Sequence, residues 1–351
     1  MKAYMISERD GVVKSGMIDV PEPQLRGPRS VKVAVESVGI CGTDLKIYTG
    51  HHSQSVGADR IPGHEFAGVV TEIGAEVEGL KVGDRVVHEP IAYCGKCYAC
   101  RRGRGNVCSS LRVTGCNMEG GLEEYFVADE KQWHLLPDSI SWNEAALIEP
   151  YTVAAHVCSR ARLEIGDSML VYGAGPIGLM VADTAAQMGA RVIISARSTG
   201  RLELARRIGL ENVIDSRTEN VRERVMELTG GEGPNIVCDC AGAPELAAEA
   251  IDVLSPAGRF VPVAPVTFQL DAYRCMRKEI DIPASRLQIG QFRPVIERFG
   301  QYKSHADTMI TDEFDFLQTE EAYAYASRHD PRTGKVVIRF HRSPEPEEEK
   351  K

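Results

Sequence analysis

The chain has 351 residues, more than one hydrophobic core usually serves, so two domains are expected. Hydrophobic residues make up 43% and charged residues 26%, an ordinary globular balance, and a net charge of −9 argues against a nucleic-acid partner. No apolar run approaches the ~20 residues of a membrane span. The start of the chain, with Lys2, Glu8 and Arg9, lacks the apolar centre of a signal peptide, so a cytosolic protein is expected. Ten cysteines in such a protein are unlike a disulfide framework, because the cytosol keeps thiols reduced.

Taken in chain order, the first 150 residues read as short β-runs broken by Gly and Pro. Residues 31–35 alternate with a period of two, and 68–74 and 84–87 follow the same pattern. The pattern changes near Pro150. Strands at 169–172, 192–194, 213–214, 236–238 and 259–263 then alternate with helices ending near 188 and spanning 201–208 and 245–254. Strand–helix alternation means an α/β unit with a doubly wound parallel sheet. Beyond about 285 the chain is mixed and ends in an apolar strand at 335–340, expected to return to the first unit. The charged tail 343–351 is expected to be disordered.

Two groups of residues in the first unit point to metal. Cys94, Cys97, Cys100 and Cys108 supply four thiolates within fifteen residues, the complement of a closed, structural zinc site. An iron–sulfur cluster would use the same ligands, but nothing nearby suggests electron transfer. The second group is dispersed: Cys41, His64, Glu65 and Glu149. Singly, each has an ordinary explanation, since cysteine is often a small buried hydrophobe and Glu before Pro often marks a turn. Together they make a mixed thiolate, imidazole and carboxylate set that suits a catalytic zinc with an open position, and Asp44 is placed to orient His64.

In the second unit, Gly173-Ala174-Gly175-Pro176-Ile177-Gly178 follows a strand and opens a helix. In that context the glycines serve a tight turn, close approach of a pyrophosphate, and helix–strand packing, so a dinucleotide is the expected cofactor. The helix N-terminus offers free N–H groups to the phosphates. The next strand ends Ser195-Ala196-Arg197-Ser198, without the carboxylate that would accept from ribose hydroxyls. Arg197 and Arg201 are instead suited to a 2′-phosphate, which favours NADP over NAD. The alternative is that both arginines are solvated surface.

These motifs, in this order, resemble the medium-chain zinc-dependent alcohol dehydrogenases, and in particular their sorbitol and polyol branch. The likeness spans roughly residues 2–340. It implies a GroES-like β-rich catalytic domain (1–150 and 286–351) interrupted by a Rossmann domain (151–285), with dimers and tetramers both usual. It implies Cys41, His64 and Glu65 as zinc ligands, Glu149 as a fourth ligand or an acid near the zinc water, and Thr43 as the hydroxyl that takes the substrate proton. Lys46 stands where some members have a proton-relay histidine, and Arg286 is similar to a cleft arginine. The expected reaction interconverts a secondary alcohol of a polyol-like substrate and its ketone. A cyclitol, aminocyclitol or threonine-type amino alcohol is the alternative substrate class. A non-catalytic binding protein on the same fold is the alternative of a different kind. Substrate contacts are expected from the neighbourhood of Ile47, Tyr48, His51, His52, Met118 and Arg286.

Overall fold

The computed structural model describes residues 1–51 and 59–341. The amino-terminal part is built on two antiparallel sheets. β1 (Lys2–Arg9) and β2 (Val12–Asp19) form a hairpin through the left-handed pair Asp10-Gly11, and β4 (Asp59–Arg60) adds to its other edge. The larger sheet is centred on β3 (Ser30–Gly39), nine of whose ten residues are buried. Val31, Val33 and Val35 alternate with Lys32 and Ala34 as the sequence pattern indicates, yet both sets are buried, so the strand is covered on both faces. β3 pairs with β5 (Glu65–Ile73) and β9 (Tyr125–Asp129), while β6 (Arg85–His88) and β10 (Trp133–Leu135) extend the sheet beyond β5. A short hairpin of β7 (Ile91–Ala92) and β8 (Arg112–Val113) brackets the four-cysteine segment.

The central part is a five-stranded parallel sheet: β11 (Ser168–Tyr172), β12 (Arg191–Ala196), β13 (Asn212–Asp215), β14 (Ile236–Asp239) and β15 (Arg259–Pro262). Their spatial order is β13-β12-β11-β14-β15, so the sequence reverses between β11 and β14. A crevice opens at such a switch point, outside the carboxyl ends of the strands. Of the connecting helices, Pro176–Gln187 ends within a residue of the expected 188, and Thr199–Arg207 and Pro244–Val253 lie within two residues of the expected bounds, while Val221–Leu228 has no counterpart in the sequence reading.

The chain then returns. β16 (Ile310–Asp315) pairs parallel with β17 (Lys335–Arg339), and β17 pairs antiparallel with β3, so the last strand completes the first sheet. Helix Ile148–Arg160 joins the two parts: it packs on β5 and β6 and also on helix Pro176–Gln187. Its buried residues share one core with Ala67 and Val87 on one side and Met169 and Val171 on the other. The expectation for the charged tail 343–351 lies outside the described residues.

Candidate active site and nucleotide cleft

Cys41 is the N-cap of helix Gly42–Tyr48. Asp44, wholly buried at the third position of that helix, accepts the Cys41 N–H (2.9 Å) and lies 3.5 Å from Nδ1 of His64. The capping contact thus fixes the cysteine and the histidine through one carboxylate. His64 and Glu65 enter β5 after Gly63, whose φ of 94° is a left-handed conformation that glycine adopts without strain. The Cys41 thiol, a His64 ring nitrogen and a Glu65 carboxylate oxygen all lie within 4.8 Å of one another. Such a mixed set, held at metal-ligand spacing and leaving positions free, fits a catalytic zinc. Burial pulls the His64 pKa down, but Asp44 and Cys41 together raise it well above its usual value, a measure of the negative charge awaiting a cation.

Glu149, near the start of helix Ile148–Arg160, lies outside this compact trio, unlike the sequence grouping of four. It remains within the field of the trio. Burial pushes its pKa up to about 7, His64 and Lys335 oppose the shift, and Glu65 and Asp44 add to it. Thr43 is half-buried on the first turn of the same helix as Asp44, and Lys46 points to solvent.

The four-cysteine lobe is compact. Cys97 lies 3.5 Å from Cys100 and 3.8 Å from Cys108, and Cys108 lies 3.5 Å from Cys94, sulfur to sulfur. A tetrahedron with Zn–S bonds of about 2.3 Å has sulfur–sulfur edges of about 3.8 Å, so the cage has the dimensions of a zinc ion. Backbone N–H groups of Cys94 and Ser110 point at the Cys108 sulfur. Those of Cys100 and Ser109 hold the Cys97 thiol well below its usual pKa. A preformed nest for thiolates is what a structural site requires.

At the switch point, a cleft of about 820 Å³ is lined by Gly173, Gly175, Ser195, Ala196, Arg197 and Arg201. Gly173 has φ 94°, and a Cβ on Gly178 would sit 1.9 Å from the Gly173 carbonyl oxygen, so both glycines are obligatory. A Cβ on Gly175 would meet only Arg201 Nη1, at 3.9 Å, leaving the approach to the backbone open. Pro176 and Ile177 begin the helix that follows this loop, whose first turn leaves N–H groups without intrahelical partners. Arg201 is half-buried, and its sealed Nε has no partner. Arg197 is exposed. A buried unsatisfied guanidinium nitrogen beside a glycine loop fits a phosphate ligand.

Several residues of these sites escape sequence reasoning. Lys335, on β17, forms a buried ion pair with Glu65. Its only signal was a lone charge at the head of an apolar strand. Gly39 makes room for that pair, because a Cβ there would lie 2.5 Å from Glu65 Oε2. Cys116 faces the trio closely enough that His64, Asp44, Cys41 and Glu149 all perturb it, although burial is what chiefly pushes its thiol up to about 11. Ser216 and Arg222 line the nucleotide cleft from the loop and helix after β13.

The neighbourhood named for substrate contacts divides. Ile47 is in the core and Tyr48 donates its hydroxyl to Glu320 (2.9 Å), so both serve to anchor the helix. His51 is exposed, 3.0 Å from the Thr49 hydroxyl, and His52 lies outside the described residues. Met118 lines a separate cavity near the amino terminus. The Arg286 side chain is exposed, while its carbonyl accepts from Asn106 (2.8 Å).

Comparison with known proteins agrees with this architecture. The alcohol dehydrogenase GroES-like domain model matches residues 27–138, and the zinc-binding dehydrogenase model matches residues 176–301. A sorbitol dehydrogenase of Halalkalibacterium halodurans is 34% identical over 330 residues, covering 92% of this chain and 95% of that protein. An L-threonine 3-dehydrogenase of Pyrococcus horikoshii is 40% identical over 245 residues, 69% of each chain. The crystal structure of an Escherichia coli CFT073 protein, described as a short chain alcohol dehydrogenase (rspB) and complexed with NADH, superposes with a TM-score of 0.87 at 32% identity. It covers 97% of this chain and 99% of that one. No described helix is long and apolar enough to cross a membrane. The chain belongs to the zinc-dependent medium-chain alcohol dehydrogenases, in their polyol dehydrogenase branch, and is an oxidoreductase.

Proposed function

We propose that the protein interconverts a secondary alcohol of a polyol-like substrate and the corresponding ketone, using NADP in preference to NAD. The observation that carries the reaction is the compact set of half-buried Cys41 with buried His64 and Glu65, and Thr43 on the adjoining helical turn. In this reading those three residues hold a catalytic zinc, with Glu149 beside it, and Cys94, Cys97, Cys100 and Cys108 hold a structural one. Bound there, the metal would supply Lewis acidity toward the substrate hydroxyl, and a nicotinamide held in the cleft would supply the redox chemistry. The chain's own residues do the rest. Asp44 fixes Cys41 and His64, Lys335 offsets the negative charge of Glu65, and Thr43 Oγ1 accepts the hydroxyl proton and passes its own outward. Gly173, Gly175, Pro176, Ile177 and Gly178 cradle the pyrophosphate, while Ala196, Arg197 and Arg201 receive the 2′-phosphate.

The boundaries 1–150 with 286–351, and 151–285, describe the catalytic and nucleotide domains in this reading, and a cytosolic homodimer or homotetramer is its natural setting. Steady-state assays of a polyol, cyclitol and amino-alcohol panel with both cofactors test it. Turnover of a polyol with NADP is expected. Turnover of none of the three substrate classes with either cofactor defeats the reading. A threonine-type amino alcohol is the second reading, favoured by the 40% identity to the Pyrococcus enzyme. Preference for that substrate over every polyol decides for it.

A further inference from the structure

Away from the catalytic residues, a cavity of about 610 Å³ lies between the amino-terminal strands and the 117–127 segment. Met1, Met5, Val20, Ile61, Met118 and Phe126 form the apolar part of its wall, and Glu22, Arg26, Arg112, Asn117 and Glu119 the polar part. Glu123 lines it and is only 7% exposed. Among the described residues its carboxylate has no hydrogen bond or ion pair, and its oxygens are not among the sealed polar atoms, so they face the cavity. A buried carboxyl without a partner costs several times what a hydrogen bond returns, and calls for a ligand.

The surrounding charges say which kind. Glu119 accepts the Ile61 N–H with one oxygen (2.7 Å) and adds negative potential. Glu22 is engaged with Lys32, and the Met1 amine with the Val20 carbonyl (2.9 Å). Arg26 and Arg112 line the same cavity with side chains exposed to solvent. Among the described residues no cationic side chain forms an ion pair with Glu123, and Arg26 acts on it only from a distance. We propose that this cavity binds a small organic cation, a primary ammonium on an apolar chain, with Glu123 as counter-ion and Met5, Ile61 and Phe126 around the chain. Burial first, then Glu119, push the Glu123 pKa up to about 8, with Arg26 partly offsetting them. Near pH 7 the carboxyl therefore carries a proton, and an arriving ammonium group displaces that proton to solvent.

Calorimetric titration of the zinc-loaded full chain with n-hexylammonium chloride tests this, run near pH 7 in two buffers of different ionisation enthalpy. Saturable binding with proton release is expected, at least tenfold tighter than 1-hexanol. Glu123→Gln should weaken it at least tenfold while leaving turnover and melting close to the parent's, because the amide is as neutral as the protonated carboxyl it replaces but cannot release a proton to pair with the ammonium. Val20→Trp, which fills the cavity and leaves the carboxyl in place, should also block binding. Equal affinity of parent and Glu123→Gln, equal affinity for 1-hexanol, unaltered binding to Val20→Trp, or no saturable heat at millimolar ligand would each overturn the proposal.

Discussion

Lys335 and Glu65 come from opposite ends of the chain and meet in a fully buried ion pair, beside the thiol and imidazole of the proposed catalytic metal site. Burial lowers the Lys335 pKa, but Glu65, Cys41 and Asp44 more than offset this and keep the ammonium charged. Breaking such a pair by removing one partner leaves an uncompensated charge, at a cost of about 3–5 kcal/mol. Lys335→Met should therefore lower the melting temperature of the metal-free protein by several degrees. Adding Glu65→Gln should recover part of the loss, since the orphaned carboxylate is then gone. Thermal unfolding of the parent, both single variants and the double variant measures the coupling. Strictly additive losses would mean the pair carries no stability.

Gly39 offers an independent probe of the same spot. A Cβ there would lie 2.5 Å from Glu65 Oε2, 3.0 Å from Lys335 Cε and 3.3 Å from the Ala146 carbonyl. Gly39→Ala should displace Glu65 and reduce turnover at least tenfold, while the nucleotide cleft, built on another sheet, keeps its affinity. Cofactor titration alongside steady-state kinetics separates the two. Unchanged kcat would show that Glu65 tolerates the shift.

The two proposed metal sites should part under mutation. Elemental analysis of protein purified without chelator should find close to two zinc ions per chain. Cys97→Ser should lose one of them together with folding stability, because a structural zinc contributes directly to folding. Cys41→Ser should leave a folded, nucleotide-binding protein with little turnover. Identical melting curves for the two variants would erase this division of labour.

The local devices were legible in the sequence because each is contiguous. The four cysteines span one loop, the glycines one strand–helix turn, and Cys41, Thr43 and Asp44 a single helical turn. The strand at 335–340 could be foreseen as returning, since an apolar run after a mixed segment needs a sheet to join. What it carries to the site could not. Lys335 reaches Glu65 only through the register of β17 on β3, where Val337 pairs Gly39. Glu123 was hidden for a related reason, because a glutamate beside Glu124 in a strand-like run looks like solvated surface. Its bridge to Ala3 of β1 draws it against the amino-terminal hairpin, where it is buried.

Acid sensitivity follows from His88. It is wholly buried, stacks on Phe66 at 4.6 Å and has its Nε2 2.9 Å from the Thr114 hydroxyl. Burial, then His134 and His64, lower its pKa to about 3. Between that value and about 6.5 the unfolded chain binds a proton that the folded chain refuses, so stability falls with pH across that window. Denaturant midpoints at pH 7.5 and 5 should show the loss, and His88→Gln should shrink it. A variant whose midpoint falls as far as the parent's would assign the effect to other groups, His156 foremost, since burial lowers its pKa to about 4.

Cofactor choice is where the structure sharpens the sequence reading most. Arg197 and Arg201 were equivalent as sequence, but Arg197 is exposed, whereas Arg201 is half-buried over the glycine loop with its Nε sealed and unpartnered. A charge-assisted hydrogen bond is strong where water is excluded and weak where it is not. Arg201→Ala should therefore cut the preference for NADP by about tenfold, some 1.4 kcal/mol, and Arg197→Ala by clearly less. Ala196→Asp with Arg197→Ile should reverse the preference, since the new carboxylate accepts from ribose hydroxyls and repels a 2′-phosphate. The ratio of kcat/KM for NADP and NAD in the parent and the three variants reads this directly, and the parent should favour NADP by about ten- to a hundredfold. A parent that favours NAD, or an Arg201→Ala variant with an unchanged ratio, would make these arginines surface charge only.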